Sequence, residues 1–488
     1  MNETLDADAC YRALTAKDAR FDGLFFVGVT TTGIYCRPVC RAKTPSRARC
    51  EFYVSAAGAE HEGFRACFRC RPELAPGASR VDATSRIVAR AVARIEQGAL
   101  NEASLDDLAR ELDVTARHLR RAMHDELGVS PIDLAQTQRL ALAKRLLHDT
   151  ALSMTDVAMA SGFASIRRFN AAFRARFGRA PSDLRRLAKI EERDTISLTL
   201  AYRAPLDWRA LLGFLGPRAT PGVERVDASS YARTARIGAH QGWLTVTPIA
   251  DRAALRAEVS LSLAPVLMPL VAKLRHLFDL DARPDTVSSH LSLDATLRKM
   301  VAKRPGLRVP GAFDGFEVAA RAVLGQQVSV AAATTLAGRL AKTFGEPIAT
   351  PDESLRVLFP TAARIARASD EELGSIGLTR ARAKTLGTLA RAIVSGELRL
   401  EVRGDATRVI EDLVRLPGIG PWTANYVAMR ALGAPDAFPD GDLVLRRVLG
   451  DLTNREAFAR AEPWRPWRSY AAMHLWASLT PTEKEAAP

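Results

Sequence analysis

All six cysteines of the 488-residue chain lie within its first 70 residues, and four of them form two close pairs. Cys36 is followed by Cys40, and Cys67 is followed by Cys70. Thiolates at these spacings can close a tetrahedral zinc site, which would stabilise a domain too small to bury much apolar surface. The spacing alone leaves a purely structural zinc site as the alternative. The other two cysteines lie outside the four-ligand pattern.

A second set of residues with chemical potential begins at the run Leu-Pro-Gly-Ile-Gly-Pro-Trp, residues 416–422. Gly418 and Gly420 permit the tight turn of a helix-hairpin-helix, whose backbone N–H groups can approach a DNA phosphate without reading bases. Asp442 follows 22 residues after Gly420. Beside a flipped nucleotide, its carboxylate could stabilise the positive sugar that develops as the base leaves. A plain interhelical loop and a capping aspartate are the alternative.

Composition and charge restrict the class of protein. Lysine and arginine exceed aspartate and glutamate by 69 − 55 = 14, which favours a polyanionic partner, although an arginine-rich genome also raises basic content. The hydrophobic fraction of 47% is that of a globular protein. No apolar run approaches the roughly 18 residues that span a bilayer, and the N-terminus is polar and acidic. We therefore expect a cytoplasmic protein without a membrane partner.

Four segments must position these residues, and together they predict a multidomain α+β protein. The expected divisions are a small zinc domain (1–76), an all-α double helix-turn-helix domain (80–188), an α/β accessory domain (194–308) and an all-α helix-hairpin-helix domain (309–482). The third segment contains alternating runs, residues 196–200 and 243–246, that suit strands.

The second segment contains one structural unit twice. Ser104-Leu-Asp-Asp-Leu-Ala recurs as Ser153-Met-Thr-Asp-Val-Ala, and the apolar positions that follow recur about fifty residues later. Each copy predicts a capped helix, a turn and a second capped helix, with Thr115 and Ser165 as the second caps. A solvated helical spacer is the alternative. The second helices expose basic side chains that suit major-groove contacts, namely Arg117, Arg120, Arg121, Arg167 and Arg168.

The sequence around the cysteines, residues 25–41 and 63–72, closely resembles the N-terminal zinc domain of the Ada methylation-response proteins. The resemblance implies one zinc ion on the four paired cysteines. It also implies that Cys36 irreversibly accepts the methyl group of a methylated DNA phosphate, because a zinc-bound sulfur is a thiolate and hence a nucleophile. Basic side chains would then hold the DNA backbone, namely Arg37, Arg41, Lys43 and Arg47.

The duplicated unit resembles the AraC-type regulator domain over residues 84–186, with a linking helix at about 131–148 and a Gly162-Phe163 turn. Ada proteins join these two modules in the same order. The resemblance implies that methylation of Cys36 removes thiolate charge near DNA, raises promoter affinity and activates repair genes. Double-stranded DNA, damaged and promoter, is the implied partner, with RNA polymerase as a further one.

Residues 195–480 resemble the AlkA-type 3-methyladenine glycosylases, most closely at 322–329, the hairpin, the Asp442 loop and 464–476. By this resemblance Asp442 is the catalytic acid, Trp422 and Tyr426 form the base pocket, and Trp476 is an aromatic stacking platform. A pocket built from π faces would favour cationic bases such as 3-methyladenine and 7-methylguanine.

Two positions refine the expected chemistry. Glycosylases that also cut the strand place a Schiff-base lysine just after the hairpin glycines, where this chain has Trp422, so we expect a monofunctional enzyme. The residue that fills the gap left by the flipped base is an apolar wedge in some relatives, whereas Gln327 stands there in this chain. No cysteine follows Trp476, so we expect no iron–sulfur cluster.

The sequence thus predicts a fusion of a methylation-response regulator and a DNA glycosylase. One alternative is a transcription regulator whose glycosylase domain is inactive, which the intact Asp442, Trp422 and Trp476 disfavour. The other is a glycosylase whose N-terminal modules only anchor it to DNA, which the intact Cys36 context disfavours.

Overall fold

The computed structural model describes residues 5–77, 85–187 and 195–479, which form a multidomain α+β protein. The chain divides into two compact units. The first comprises Met1–Ala204, Ile237–His240 and Ile249–Ala272, and the second comprises Pro205–Arg236, Gln241–Pro248 and Lys273–Pro488. Among the described residues, no helix combines the length and the apolar character needed to cross a bilayer.

The N-terminal segment is a small sheet flanked by short helices. The sheet order is β3-β1-β2-β4, with β1 antiparallel to both its neighbours and β2 parallel to β4. Its small core includes Phe25, Val27 and Cys50. Cys36 is the last residue of β2, so the sheet itself fixes the first predicted metal ligand. The elements are α1 (Ala7–Ala16), β1 (Phe26–Val29), β2 (Ile34–Cys36), β3 (Cys50–Tyr53), α2 (Ala56–His61) and β4 (Arg65–Ala66).

Residues 85–187 are helical and contain the duplicated unit. Ser104, Thr115, Ser153 and Ser165 each accept a backbone N–H bond at a helix start, as the sequence predicts. The linking helix α7 begins at Pro131, also as predicted. The helices are α3 (Arg86–Glu96), α4 (Ala99–Glu102), α5 (Leu105–Glu111), α6 (Ala116–Leu127), α7 (Pro131–Asp149), α8 (Met154–Ala160), α9 (Ile166–Phe177) and α10 (Pro181–Leu187).

The next segment contains the predicted strands. β5 alternates buried and half-buried residues, which is the period-two pattern of a strand with one face in the core. It pairs antiparallel with β9, and β6 pairs antiparallel with β7. The elements are β5 (Thr195–Ala201), α11 (Trp208–Leu215), β6 (Glu224–Val226), β7 (Tyr231–Ile237), β8 (His240–Pro248), β9 (Ala254–Ser260), α12 (Leu267–Leu277), α13 (Pro284–Leu291) and α14 (Ala295–Lys303).

The last segment is almost entirely helical, around a core from α15, α16, α19, α20 and α21. Helix α21 continues into a π-helical turn, Ala428–Leu432. The elements are α15 (Gly315–Leu324), α16 (Val330–Phe344), β10 (Glu346–Pro347), β11 (Val357–Leu358), α17 (Ala362–Ala366), α18 (Asp370–Gly374), α19 (Arg380–Ser395), α20 (Ala406–Arg415), α21 (Pro421–Val427), α22 (Leu443–Val448), α23 (Asn454–Arg460) and α24 (Arg468–Ala477).

Candidate functional site

The four paired cysteines converge on one point. The Sγ atoms of Cys36, Cys40, Cys67 and Cys70 all lie within 4.8 Å of one another. Zn–S bonds of about 2.3 Å would place the sulfur atoms of a tetrahedral site about 3.8 Å apart. Four sulfur donors at this separation fit zinc, and no other residue type is required to complete the ligand set.

The residues beside the cluster tie it to the surrounding chain. The Arg37 guanidinium donates to the Asp22 carboxylate, with Nε to Oδ1 at 2.8 Å, and to the Cys70 carbonyl oxygen at 3.2 Å. Arg37 was predicted to hold phosphate, but here its side chain is mostly buried and supports the cysteine loop. Arg41 is exposed beside the same loop. Arg41 is thus the more accessible of these two arginines.

The linking helix of the duplicated unit reaches the cysteine loop within the first unit. Lys144 of α7 is 1% exposed, and its ammonium group donates to Glu73 at 2.9 Å and to the Cys67 carbonyl oxygen at 3.4 Å. Arg176 of α9 forms an ion pair with the buried Glu60, which also accepts from the Tyr35 hydroxyl at 3.0 Å. A buried lysine therefore ties α7 to the cysteine loop, and Glu60 ties α9 to Tyr35, the residue before Cys36.

The two helices α6 and α9 present their predicted basic residues to solvent. Leu119 and Met123 of α6, and Phe169 and Phe173 of α9, are completely buried, which fixes the rotation of each helix. The opposite faces carry the exposed side chains Arg117, Arg120, Arg121, Arg167 and Arg168. This arrangement leaves both basic faces accessible to a phosphate backbone or a groove.

The hairpin in the second unit has the geometry that its glycines predict. Gly418 has φ +86°, and a Cβ there would lie 2.0 Å from the Thr385 hydroxyl oxygen, so only glycine fits. Gly420 is the exposed N-cap of α21. The Thr385 hydroxyl donates to the Pro417 carbonyl oxygen at 3.1 Å. The carbonyl side of the hairpin is thus tied to α19 while its glycines remain at the surface.

Asp442 is the N-cap of α22, and four donors hold its carboxylate. Oδ1 accepts the backbone N–H groups of Val444 and Leu445, both at 3.0 Å, and the indole Nε1 of Trp476 at 3.1 Å. Oδ2 accepts the indole Nε1 of Trp422 at 3.0 Å. Oδ1 is therefore saturated, and Oδ2 retains the capacity to face another positive or donating group. The two indoles bring together residues predicted separately as pocket and platform.

Aromatic rings surround this carboxylate. Trp422 and Tyr426 stack with centroids 5.3 Å apart and an interplanar angle of 9°, and Trp476 approaches Tyr426 edge-on at 6.4 Å. Phe214 lies 6.2 Å from Trp476. All four rings and Asp442 line one cavity with a volume of about 1380 Å³, which is more than a single base requires.

Arginines surround Tyr426, a feature that sequence reasoning missed. The Tyr426 hydroxyl accepts from Arg430 at 2.7 Å. Burial raises the pKa of Tyr426, but the positive charges of Arg430, Arg218 and Arg321 outweigh it and lower the pKa below its ordinary value. Arg430 lies over both Tyr426 and Phe214, at 5.6 Å and 5.1 Å from their centroids. Arg430 already lies over the Tyr426 and Phe214 rings, which leaves the indole faces that are not stacked on Tyr426 as the available surfaces for a cationic group.

Four family models match consecutive parts of the chain. They are the metal binding domain of Ada at residues 9–73, a helix-turn-helix domain at 108–187, the AlkA N-terminal domain at 197–314, and the HhH-GPD superfamily base excision DNA repair protein at 320–464. A Mycobacterium tuberculosis protein named "Probable bifunctional transcriptional activator/DNA repair enzyme AlkA" is 40% identical over 484 residues, covering 97% of both chains. The present chain belongs to this family of bifunctional activator and repair proteins.

Two further comparisons concern the AlkA-like half of this bifunctional protein. Escherichia coli DNA-3-methyladenine glycosylase 2 is 40% identical over 278 residues, which cover 57% of this chain and 96% of the relative. The solved 3-methyladenine DNA glycosylase of Archaeoglobus fulgidus is 23% identical, with a TM-score of 0.51 over 57% of this chain and 97% of that one. The second match supports the fold of the AlkA-like half.

Arg430, Phe214 and Arg218 of this bifunctional protein line the cavity but were not predicted from the sequence, although their spacing is a simple signal. Arg430 lies four positions after Tyr426, the spacing at which two helical side chains meet. Phe214 and Arg218 have the same spacing on and just after α11, but they lie about 200 residues before the hairpin. Only tertiary folding within the second unit brings them to the cavity.

Proposed function

We propose that the second unit is a monofunctional DNA glycosylase that hydrolyses the N-glycosidic bond of alkylated bases of the 3-methyladenine and 7-methylguanine type. The observation that carries this proposal is the Asp442 carboxylate, which two indole N–H groups hold at the edge of an aromatic cavity. The first unit is a methylphosphotriester methyl acceptor joined to a DNA-binding transcription activator. The same chain then detects alkylation damage and repairs it.

The glycosylase step needs little from the protein besides binding and charge. An alkylated purine carries a positive charge, so the bond between C1′ and the ring nitrogen breaks with both electrons moving to the base, which leaves neutral. The sugar becomes positive at C1′, and Oδ2 of Asp442 lies available to stabilise that charge and to orient water. Water adds to C1′ and loses a proton, leaving an abasic site and a free base.

The assignment as monofunctional rests on the residue after the hairpin. Strand cleavage by a glycosylase requires an amine that forms a Schiff base with C1′. Trp422 occupies this position, and its indole nitrogen donates to Asp442 instead. The abasic strand should therefore stay intact.

In the first unit, Cys36 is the proposed methyl acceptor. Zinc, when bound by the four cysteines, keeps their sulfur atoms as thiolates at neutral pH. The Cys36 sulfur attacks the methyl carbon of a phosphotriester, the C–O bond breaks, and its electrons return the phosphate to its anionic diester form. The product is an uncharged thioether, so the local negative charge of the protein falls by one.

This charge loss is the proposed basis of transcription activation. One negative charge within a Debye length of the phosphate backbone disfavours DNA binding, and its removal strengthens the contacts of the basic faces of α6 and α9. We also propose that the first unit contacts RNA polymerase when it activates transcription. We place the protein in the cytoplasm, where chromosomal DNA lies in a bacterium.

Incubation of the purified full chain with methylated duplex DNA tests the proposal. Chromatography of the supernatant should detect free 3-methyladenine and 7-methylguanine, and denaturing gels should show unbroken strands until alkali cleaves the abasic sites. Absence of released base would contradict the glycosylase assignment, and strand breaks without alkali would contradict its monofunctional character.

A further inference from the structure

Gln326 carries no role in the proposed chemistry, yet its side chain connects two parts of the second unit that would contact DNA. Its Nε2 atom donates to the carbonyl oxygen of Gly418 in the hairpin at 2.9 Å, and to the hydroxyl of Thr423 in α21 at 3.2 Å. Thr423 directly follows Trp422, which binds Asp442. One amide therefore contacts the phosphate-binding turn and the helix that carries the base pocket.

The backbone at Gln326 is equally engaged. Its carbonyl oxygen accepts a hydrogen bond from the Arg382 guanidinium of α19, and its N–H donates to the Val323 carbonyl oxygen at 3.3 Å. The next residue, Gln327, has φ +56° and an exposed side chain. Left-handed backbone is costly for a residue other than glycine and persists where neighbouring contacts over-determine it. The contacts of Gln326 supply that constraint and fix the direction in which the Gln327 side chain projects from the protein surface.

We infer that Gln326 is a positioning residue that couples the hairpin to the gap-filling residue Gln327. The hairpin then binds the phosphate at a fixed distance from the point where Gln327 fills the gap in the duplex. The flipped base is thereby held out of the DNA double helix. The inference rests on the proposed glycosylase function and on the gap-filling role of Gln327, and it adds a residue that neither the hairpin nor the pocket includes.

A matched pair of variants separates this role from simple support of the hairpin. Gln326→Met removes the amide donor and keeps the side-chain length. Thr385→Val removes a second tie to the hairpin, the bond to the Pro417 carbonyl oxygen, and leaves the Gln326 contacts in place. The full chain is used for both, with thermal unfolding as the check of folding. A second substitution at the same position, Gln326→Glu, keeps the shape of the side chain but sets a carboxylate against the Gly418 carbonyl oxygen.

The measurement is the rate of base release from a methylated duplex in single turnovers at increasing protein concentration. For Thr385→Val we expect a higher half-saturating concentration and an unchanged maximal rate, because only the binding of the DNA phosphate by the hairpin weakens. Both Gln326 variants should also lower the maximal rate about tenfold, because the base returns to the stack more often. In a Gln327→Ala background, Gln326→Met should lower the maximal rate no further, since the two residues act through one step.

Two results would overturn the inference. A wild-type maximal rate for the folded Gln326 variants would reduce Gln326 to hairpin support. A further tenfold loss in the Gln327→Ala background would show that Gln326 does not act through Gln327. Base release by the wild-type chain tests the glycosylase assignment separately, so failure of the proposed function is recognised by the absence of any released base.

Discussion

The indole Nε1 of Trp476, which lies 34 residues after Asp442, donates to Oδ1 of that aspartate at 3.1 Å. Trp422 makes the matching bond to Oδ2 at 3.0 Å. The rings that were expected only to stack on a base therefore also orient the carboxylate. In the proposed reaction, recognition of the base and placement of the charge depend on the same two side chains.

Replacement of either indole by a smaller ring tests this double role. Trp476→Phe and Trp422→Phe keep an aromatic face but remove one N–H donor to a charged acceptor, a bond worth about 1.5–3 kcal/mol. The carboxylate remains capped by Val444 and Leu445 but is less well oriented. We expect the maximal single-turnover rate of base release to fall about 10- to 100-fold for each variant.

Trp464→Phe provides the control for these variants. Trp464 is 1% exposed, and its indole donates to Asp294 at 3.1 Å, outside the cavity. Its replacement should lower stability and leave the maximal rate of the folded protein unchanged. A Trp476→Phe or Trp422→Phe enzyme as fast as the wild type would refute the positioning role of that indole.

Cys36 should be the sole site of methyl transfer. After incubation with methylphosphotriester DNA, mass spectrometry should find one added methyl group on the peptide that contains Cys36. Cys36→Ala should abolish the adduct. Cys50→Ala should preserve it, because the Cys50 thiol is buried in the sheet and donates to the Ser46 carbonyl oxygen at 3.4 Å, away from the four-sulfur cluster. A methyl group found on another cysteine would move the acceptor role away from Cys36.

Acid should destabilise the second unit through His474. Burial, with a smaller contribution from Arg304, lowers the pKa of His474 from 6.5 to about 4. Between these values the unfolded chain binds a proton that the folded one does not, so this contribution to stability is complete above pH 6.5 and declines as the pH falls towards 4. At pH 5 the loss is about 2 kcal/mol.

Urea unfolding followed by tryptophan fluorescence measures this effect, because all six tryptophans lie in the second unit. His474→Leu keeps a buried side chain without a titrating group and should reduce the difference in unfolding free energy between pH 7 and pH 5. An equal difference in wild type and variant would exclude His474 as its source.

The features predicted from sequence are those that local chemistry determines. The caps Ser104, Thr115, Ser153 and Ser165 were found because a capping side chain acts within three residues of its own position. Gly418 was found for the same reason, since its turn needs positive φ. The cysteine cluster followed from ligand type and spacing. These features required no knowledge of the tertiary fold.

Contacts between distant segments could not be predicted in the same way. The pairing of Arg37 with Asp22 was missed because nothing near Arg37 in the sequence distinguishes an arginine in an ion pair from one that binds phosphate. The indole bonds to Asp442 depend on how α21, α22 and α24 pack. The amide of Gln326 reaches Gly418 across 92 residues, although both lie in runs that the sequence had singled out.

The rate of base release by Asp442→Asn tests the central claim most directly. The substitution keeps the shape of the side chain and removes the charge that would stabilise the sugar cation. Under saturating single-turnover conditions with methylated duplex DNA, we predict a rate at least about 100-fold below that of the wild type, with affinity for undamaged duplex unchanged. A rate within about twofold of the wild type would contradict the assignment of Asp442 as the catalytic carboxylate.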